Sequence, residues 1–121
     1  MTKKVLVVDD SRAIRRSISF VLEQNGYEVL EASDGVVGLA KLEEGTVELI
    51  ITDVNMPNMD GITFIKKVRE LDAFRFVPIL VLTTESQKSV MEDGKAAGAT
   101  GWIVKPFSTD KLMAAVRRVA G

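Results

Sequence analysis

Lys4-Val5-Leu6-Val7-Val8-Asp9-Asp10-Ser11 is the stretch that decides the fold. Its four apolar residues in a row suit a strand buried on both faces, because a half-exposed strand would alternate with polar residues. The run stops at two carboxylates, and a helix follows after Ser11. That helix carries Ile14, Ile18, Val21 and Leu22 on one face and stops at Asn25-Gly26. A buried strand followed at once by an amphipathic helix is the first half of a parallel strand-helix-strand unit.

The same pairing recurs along the chain. Apolar runs at 4–8, 28–32, 48–52, 77–82 and 100–104 alternate with helical segments. The first, third and fourth runs are near-continuous Val, Ile and Leu, and the second is the weakest. Ser33 or Asp34 can cap a second helix that carries Val36, Leu39, Ala40 and Leu42 up to Gly45. A third, after Asp60-Gly61, carries Phe64, Ile65, Val68 and Leu71. A fourth runs from near Ser86 to Gly98, and Gly94 inside it should make it the least stable. The last starts between Ser108 and Asp110 and places Leu112, Ala115, Val116 and Val119 on one stripe. Alternation with short loops predicts a right-handed parallel α/β domain. No linker, repeat or low-complexity stretch interrupts it, and the chain closes at Gly121 after the fifth helix. A single domain over 1–121 without an output domain is the expectation.

Composition narrows the chemistry. With 121 residues and 46% hydrophobic content the chain can bury one sizeable core. A net charge of −1 offers no electrostatic argument for nucleic acid or an anionic membrane. The sequence has no Cys and no His, which excludes disulfides, zinc sites and His-based acid–base or triad chemistry. The first apolar run is too short for a signal-peptide core or a membrane span. A soluble, cytoplasmic monomer with no nucleic-acid or membrane partner is expected.

In an open parallel sheet, ligands bind at the carboxyl ends of the strands. Asp9 and Asp10 follow the first run, Asp53 the third, Thr83 the fourth and Lys105 the fifth. Three converging carboxylates repel one another and require a cation at neutral pH. Oxygen donors without His or Cys select a hard ion such as Mg²⁺. A lysine beside that ion suits an incoming phosphoryl oxygen. The set reads as a phosphorylation site built on Asp. Taken singly, each residue has a plainer role: the Asp pair as a helix cap, Asp53 as a turn residue, Thr83 as a helix-start or turn residue, Lys105 as a surface charge. Their joint placement at the ends of strands outweighs those roles.

The loops around this set carry further signals. Met56-Pro57-Asn58-Met59-Asp60-Gly61 reads as a tight loop entering a helix, with the methionines as packing residues. Pro106 directly after Lys105 invites a sharp bend. Arg12, Arg15 and Arg16 crowd the start of the first helix, either as a solvated face or as a docking patch for an acidic partner.

These residues together resemble the receiver domain of two-component response regulators, over the full chain. The resemblance rests on Asp9-Asp10, on Asp53-Val54-Asn55-Met56-Pro57-Asn58-Met59-Asp60-Gly61, on Thr83-Thr84 and on Lys105-Pro106-Phe107. The likeness is greatest to the stand-alone receivers of chemotaxis. It implies a flavodoxin-like, doubly wound five-stranded parallel sheet of order 2-1-3-4-5 with helices on both faces, and a cis peptide before Pro106. It implies that Asp53 accepts a phosphoryl group from a sensor histidine kinase. It implies that Asp10, Asp53 and the Asn55 carbonyl bind Mg²⁺, with Asp9 acting mainly through water, and that Thr83 and Lys105 contact the phosphoryl oxygens. A flagellar motor switch protein or a phosphatase would be the partner, and the protein would assist its own phosphorylation and dephosphorylation without being a conventional enzyme. Asn55, Thr84 and Glu85 would tune access to the site. Thr83 would act as the switch with Trp102, which stands where the family usually has Tyr or Phe; the alternative role of Trp102 is a static anchor of the last strand.

Other readings share parts of this pattern. A phosphorelay intermediate or a cell-cycle or sporulation-type receiver would use the same residues. An Asp-nucleophile phosphatase usually wants an acid two residues after the nucleophile, where this chain has Asn55. A flavodoxin-like cofactor carrier would need a Ser/Thr/Gly-rich phosphate loop in place of Asp9-Asp10.

Overall fold

The computed structural model describes residues 3–84 and 88–120. Among them the strands are β1 Lys4–Val8, β2 Glu28–Ala32, β3 Leu49–Asp53, β4 Ile79–Thr84 and β5 Gly101–Lys105. The helices are α1 Arg12–Gln24, α2 Gly35–Glu43, α3 Gly61–Glu70, α4 Lys88–Ala97 and α5 Thr109–Ala120. The strands form one parallel sheet in the order β2-β1-β3-β4-β5, as the resemblance implied.

The near-continuous apolar runs are buried on both faces. Val5 and Val7 of β1, Leu49 and Ile51 of β3, and Leu80 and Leu82 of β4 meet Ile18 and Leu22 of α1 and Leu112, Met113 and Val116 of α5. Their alternate neighbours Leu6, Val8, Ile50, Ile79 and Val81 meet Leu42 of α2 and Phe64, Ile65 and Val68 of α3. Two cores on opposite faces follow from the two-residue period of the strands. β2, the weakest run, is an edge strand of mostly half-buried residues.

Side-chain oxygens cap α1, α2 and α3: Asp34 does so as one of the two expected candidates, whereas α1 is capped by Ser11 and not by the Asp9-Asp10 pair. Ser11 Oγ accepts from Ile14 N–H, Asp34 from Val37 N–H and Asp60 from Thr63 N–H. Several boundaries differ from the sequence reading, with β3 and β5 each lying one residue later than the runs 48–52 and 100–104. β4 begins at Ile79 instead of Val77 and runs on through Thr83 and Thr84, because these pair with Val104 and Lys105 of β5. α3 ends at Glu70, and Leu71 is an extended cap residue 37% exposed to solvent, so it does not extend the buried stripe. The expected start of the fourth helix at Ser86 lies outside the described residues. The methionines of the 56–61 loop, Met56 and Met59, pack against the α2–α3 core as expected.

The far end of α4 is tied down by Arg69 of α3. Its guanidinium donates two hydrogen bonds to the Gly98 carbonyl, at 3.1 and 2.7 Å, and others to the Phe74 and Arg75 carbonyls. Within α4, a Cβ added at Gly94 would meet Ile62, Val81 and Ala99 at 3.6–3.9 Å, ordinary contact distances. Space does not require glycine there. Gly94→Ala should raise stability by about 1 kcal/mol through helix propensity and a less flexible unfolded chain, read as a higher denaturation midpoint. No helix among the described residues is long and apolar enough to cross a membrane.

Candidate functional site

The site is built from the last residues of the strands, where the sheet hands over to its loops. Asp9 follows β1, and its N–H still donates to the Ala32 carbonyl of β2 at 3.1 Å. Its Oδ1 accepts from Ser11 N–H at 2.8 Å, which turns the carboxylate inward, fully buried, while Asp10 is left exposed. Asp53 closes β3, and its Oδ1 accepts from Val54 N–H at 2.8 Å. Lys105 closes β5 and brings Nζ to 3.4 Å from Asp53 Oδ1 and 3.7 Å from Asp9 Oδ2. Thr83 is buried one residue beyond Leu82, the register partner of Asp53. The peptide between Lys105 and Pro106 is cis.

One carboxylate oxygen from each of Asp9, Asp10 and Asp53 lies within 4.8 Å of the others. Among the described residues the Lys105 ammonium pairs with two of these three carboxylates, Asp9 and Asp53. Burial pushes the Asp9 carboxyl above its ordinary range; the neighbouring Asp53 and Asp10 charges add to this, while the Ser11 N–H and Lys105 oppose it. Asp9 Oδ2 is buried and accepts no hydrogen bond among the described residues. At 3.7 Å the Lys105 ammonium is too far to serve. A buried, unpaired carboxylate oxygen is costly unless a cation meets it. The all-oxygen donor set fits a hard divalent cation, so the residues present suit the metal that the sequence pattern implies.

Behind Asp53 the backbone is packed to its limit. Gly61 N–H donates to the Val54 carbonyl at 2.8 Å. A Cβ at Gly61 would stand 2.2 Å from the Asp53 carbonyl oxygen and 2.9 Å from Val54 Cα. Glycine is required for this close approach.

Two residues that act on the site were not singled out in that role by sequence reasoning. Arg15, read as part of an outward charge cluster, donates to the Asp9 carbonyl at 2.7 Å and to Glu31 Oε1 at 3.0 Å. Arg16 also pairs with Glu31. The docking-patch reading therefore does not hold for Arg15, which braces the acidic turn from within. Burial works to raise the Glu31 carboxyl, but the hydrogen bonds from Arg16 and Arg15 outweigh it and hold the group below its ordinary range. The available signal was Glu31, one of two glutamates in the second run.

The remaining predicted residues lie around this centre. Asn55 and Thr84 are exposed at its rim, and Glu85 lies outside the described residues. Trp102 is 39% exposed and lines a groove of about 350 Å³ with Met91, Glu92 and Lys95 of α4. It thus sits at the edge of that helix, not beneath it. Ile103 beside it turns into the opposite core.

The response regulator receiver domain is the family whose model matches the chain, over residues 5–117. The chain belongs to this family. The receiver is 42% identical over 120 residues to chemotaxis protein CheY1 of Helicobacter pylori, covering 98% of this chain and 97% of that protein. Among solved structures it is similar to the chemotaxis response regulator CheY4 of Vibrio cholerae, with 48% identity, a TM-score of 0.94, and coverage of 98% of this chain and 99% of that one. It is also similar to the receiver domain of the sensor histidine kinase PA1611 of Pseudomonas aeruginosa, whose structure has a magnesium ion coordinated in the active-site cleft. That likeness has 26% identity, a TM-score of 0.91, and coverage of 100% of this chain and 99% of that one. The fold and family of this receiver are those of CheY-type chemotaxis response regulators.

Proposed function

We propose that the protein is a cytoplasmic signalling switch that takes a phosphoryl group from a sensor histidine kinase onto Asp53. The observation that carries this reading is the pairing of Asp53 with Lys105 at 3.4 Å beside the buried Oδ2 of Asp9, which accepts no hydrogen bond among the described residues. An Asp53 oxygen attacks phosphorus, the bond from phosphorus to the histidine nitrogen breaks, and that nitrogen leaves with its electron pair. The product is an acyl phosphate, a labile mixed anhydride suited to a signal that decays. Mg²⁺, when bound, supplies charge neutralisation for the phosphoryl oxygens. Asp9, Asp10, Asp53 and the Asn55 carbonyl would hold it. Lys105 neutralises a second phosphoryl oxygen, and the Thr83 hydroxyl donates to a third after a local shift of β4. Asn55 and Thr84, exposed beside the site, would tune the access of the hydrolytic water, the role also assigned to Glu85 from the sequence.

The relatives are chemotaxis proteins, so a flagellar motor switch protein is the favoured downstream partner, and the free protein is taken as a monomer. Incubation with acetyl phosphate and Mg²⁺ tests the reading. The receiver should saturate at one phosphoryl group per chain and release phosphate only at the slow rate of its own decay. Sustained turnover of a generic phosphate ester would support an Asp-nucleophile phosphatase instead.

Two further outcomes follow from the charges and from the groove beside α4. Asp10→Ala removes an oxygen donor and should weaken Mg²⁺ binding by about tenfold or more, equivalent to about 1.4 kcal/mol. Without metal it should raise the melting temperature, because one like charge is gone. Calorimetric titration and thermal melts check both. Trp102 is the sole tryptophan of the chain. A phosphoryl mimic with Mg²⁺ should change its fluorescence, and Thr83→Ala should blunt that change without abolishing phosphoryl uptake. Identical emission in free, Mg²⁺-bound and activated protein would make Trp102 a static anchor.

A further inference from the structure

The loop that follows Asp53 is fastened at its far end to the start of α2. Asp34 is buried at 6% exposure and uses both carboxylate oxygens. Oδ1 accepts from Val37 N–H at 2.9 Å and caps α2. Oδ2 accepts from the Asn58 side-chain amide at 2.7 Å. Asn58 has φ of +68°, a conformation that non-glycine residues rarely adopt and that asparagine tolerates best. Met59 N–H closes a tight turn onto the Pro57 carbonyl at 2.7 Å. A Cβ at Gly35 would come within 2.9 Å of Met59 Sδ, so the loop lies directly against the first turn of α2. The near end is held by Gly61 N–H on the Val54 carbonyl. Between these two anchorages lies Asn55.

Capping α2 needs one oxygen, and a serine would supply it. A carboxylate in this position adds a second, charged acceptor, and that acceptor is spent on the loop. Hydrogen bonds to a charged group are about twice as strong as neutral ones. Val37 N–H first, and the Asn58 amide second, hold the Asp34 carboxyl below its ordinary range, so it is ionised at neutral pH.

We propose that Asp34 and Asn58 form a latch that positions the loop backbone at Asn55 for the metal, making both of them positioning residues for phosphoryl acceptance. This rests on the reading of Asp53 as the phosphoacceptor. The latch fixes the orientation of the Asn55 carbonyl before the cation arrives, so the loop need not be ordered at the expense of binding. Releasing the latch leaves the carboxylates of Asp9, Asp10 and Asp53 in place, so the loss falls on metal affinity and not on the acceptor.

Asn58→Gly keeps the left-handed backbone and removes the amide. Asp34→Ser keeps a cap oxygen for Val37 and removes the acceptor for Asn58. In the full chain, Mg²⁺ affinity is measured by calorimetry, phosphoryl uptake from acetyl phosphate as a function of Mg²⁺, and thermal midpoints by melting. Each single variant should bind Mg²⁺ about tenfold more weakly. The double variant should be no weaker than either single one, because both remove the same link. Uptake at saturating Mg²⁺ should return to within about twofold of wild type, as loss of metal positioning alone requires. Mg²⁺ affinities within about twofold of wild type, with lowered thermal midpoints, would reduce Asp34 to a helix cap and overturn the latch. Additive losses in the double variant would overturn it as well. Wild-type protein that binds Mg²⁺ but takes no phosphoryl group would refute the Asp53 reading, and the affinities would still judge the latch.

Discussion

Asp53→Asn is expected to take up no phosphoryl group from acetyl phosphate, at any Mg²⁺ concentration. The amide has nearly the shape of the carboxylate but no anionic oxygen to attack phosphorus. Asp9 is fully buried with its second oxygen beyond hydrogen-bonding reach of Lys105, and Asp10 is exposed and makes no ion pair with Lys105. Neither has a lysine as close as the 3.4 Å that separates Lys105 from Asp53. The variant should fold normally, since one carboxylate of a repelling set is neutralised. Labelling is the assay, and uptake equal to that of wild type would move the acceptor elsewhere.

Gly61→Ala should be among the most damaging single-methyl changes in the protein. The added Cβ meets the Asp53 carbonyl oxygen at 2.2 Å and Val54 Cα at 2.9 Å. Both obstacles are backbone, so no side-chain rotation relieves them. We expect a loss of about 3 kcal/mol, the upper part of the usual range for overpacking. The strand end carrying Asp53 must shift to make room, so phosphoryl uptake should fall together with stability. Denaturant titration and labelling of the same preparation check this, and a variant equal to wild type in both would show that the approach is looser than described.

Much of this architecture is legible in the sequence, because strands buried on both faces and short capped helices are encoded locally. Val5 to Val8 declare β1, and Ser11, Asp34 and Asp60 cap the helices they precede. What escapes local reading is set by partners far along the chain. Thr83 and Thr84 look like loop residues until Val104 and Lys105 pair with them. Asp53 reads as a residue after its strand, yet it lies in register with Leu82 as the last residue of β3. The proposed acceptor Asp53 and its partner Lys105 are thus strand residues, which fixes them more rigidly than loops would. Leu71 continues the helical period of α3 but falls where the backbone turns extended, with ψ of 121°.

The residues that brace the site were the least visible. Arg15 looks like its neighbours Arg12 and Arg16, and its inward turn depends on Glu31 of β2, an edge strand whose alternation is weak. Asp34 was recognisable as a cap, but its second bond crosses 24 residues to Asn58. A charged residue in sequence declares its charge and not its partner. The gathering of Asp9, Asp10, Asp53 and Lys105 was readable because it depends on residue types at strand ends, whereas its rigidity depends on pairings that only the folded chain brings together.

The most direct test of the account is to locate the phosphoryl group in the wild-type chain. The protein is exposed briefly to acetyl phosphate with Mg²⁺ or with a chelator, its intact mass is recorded, and the modified peptide is mapped. The account predicts one phosphoryl group per chain, on Asp53, present with Mg²⁺ and absent with the chelator. Modification on another residue, or equal modification of Asp53 without the metal, would contradict it.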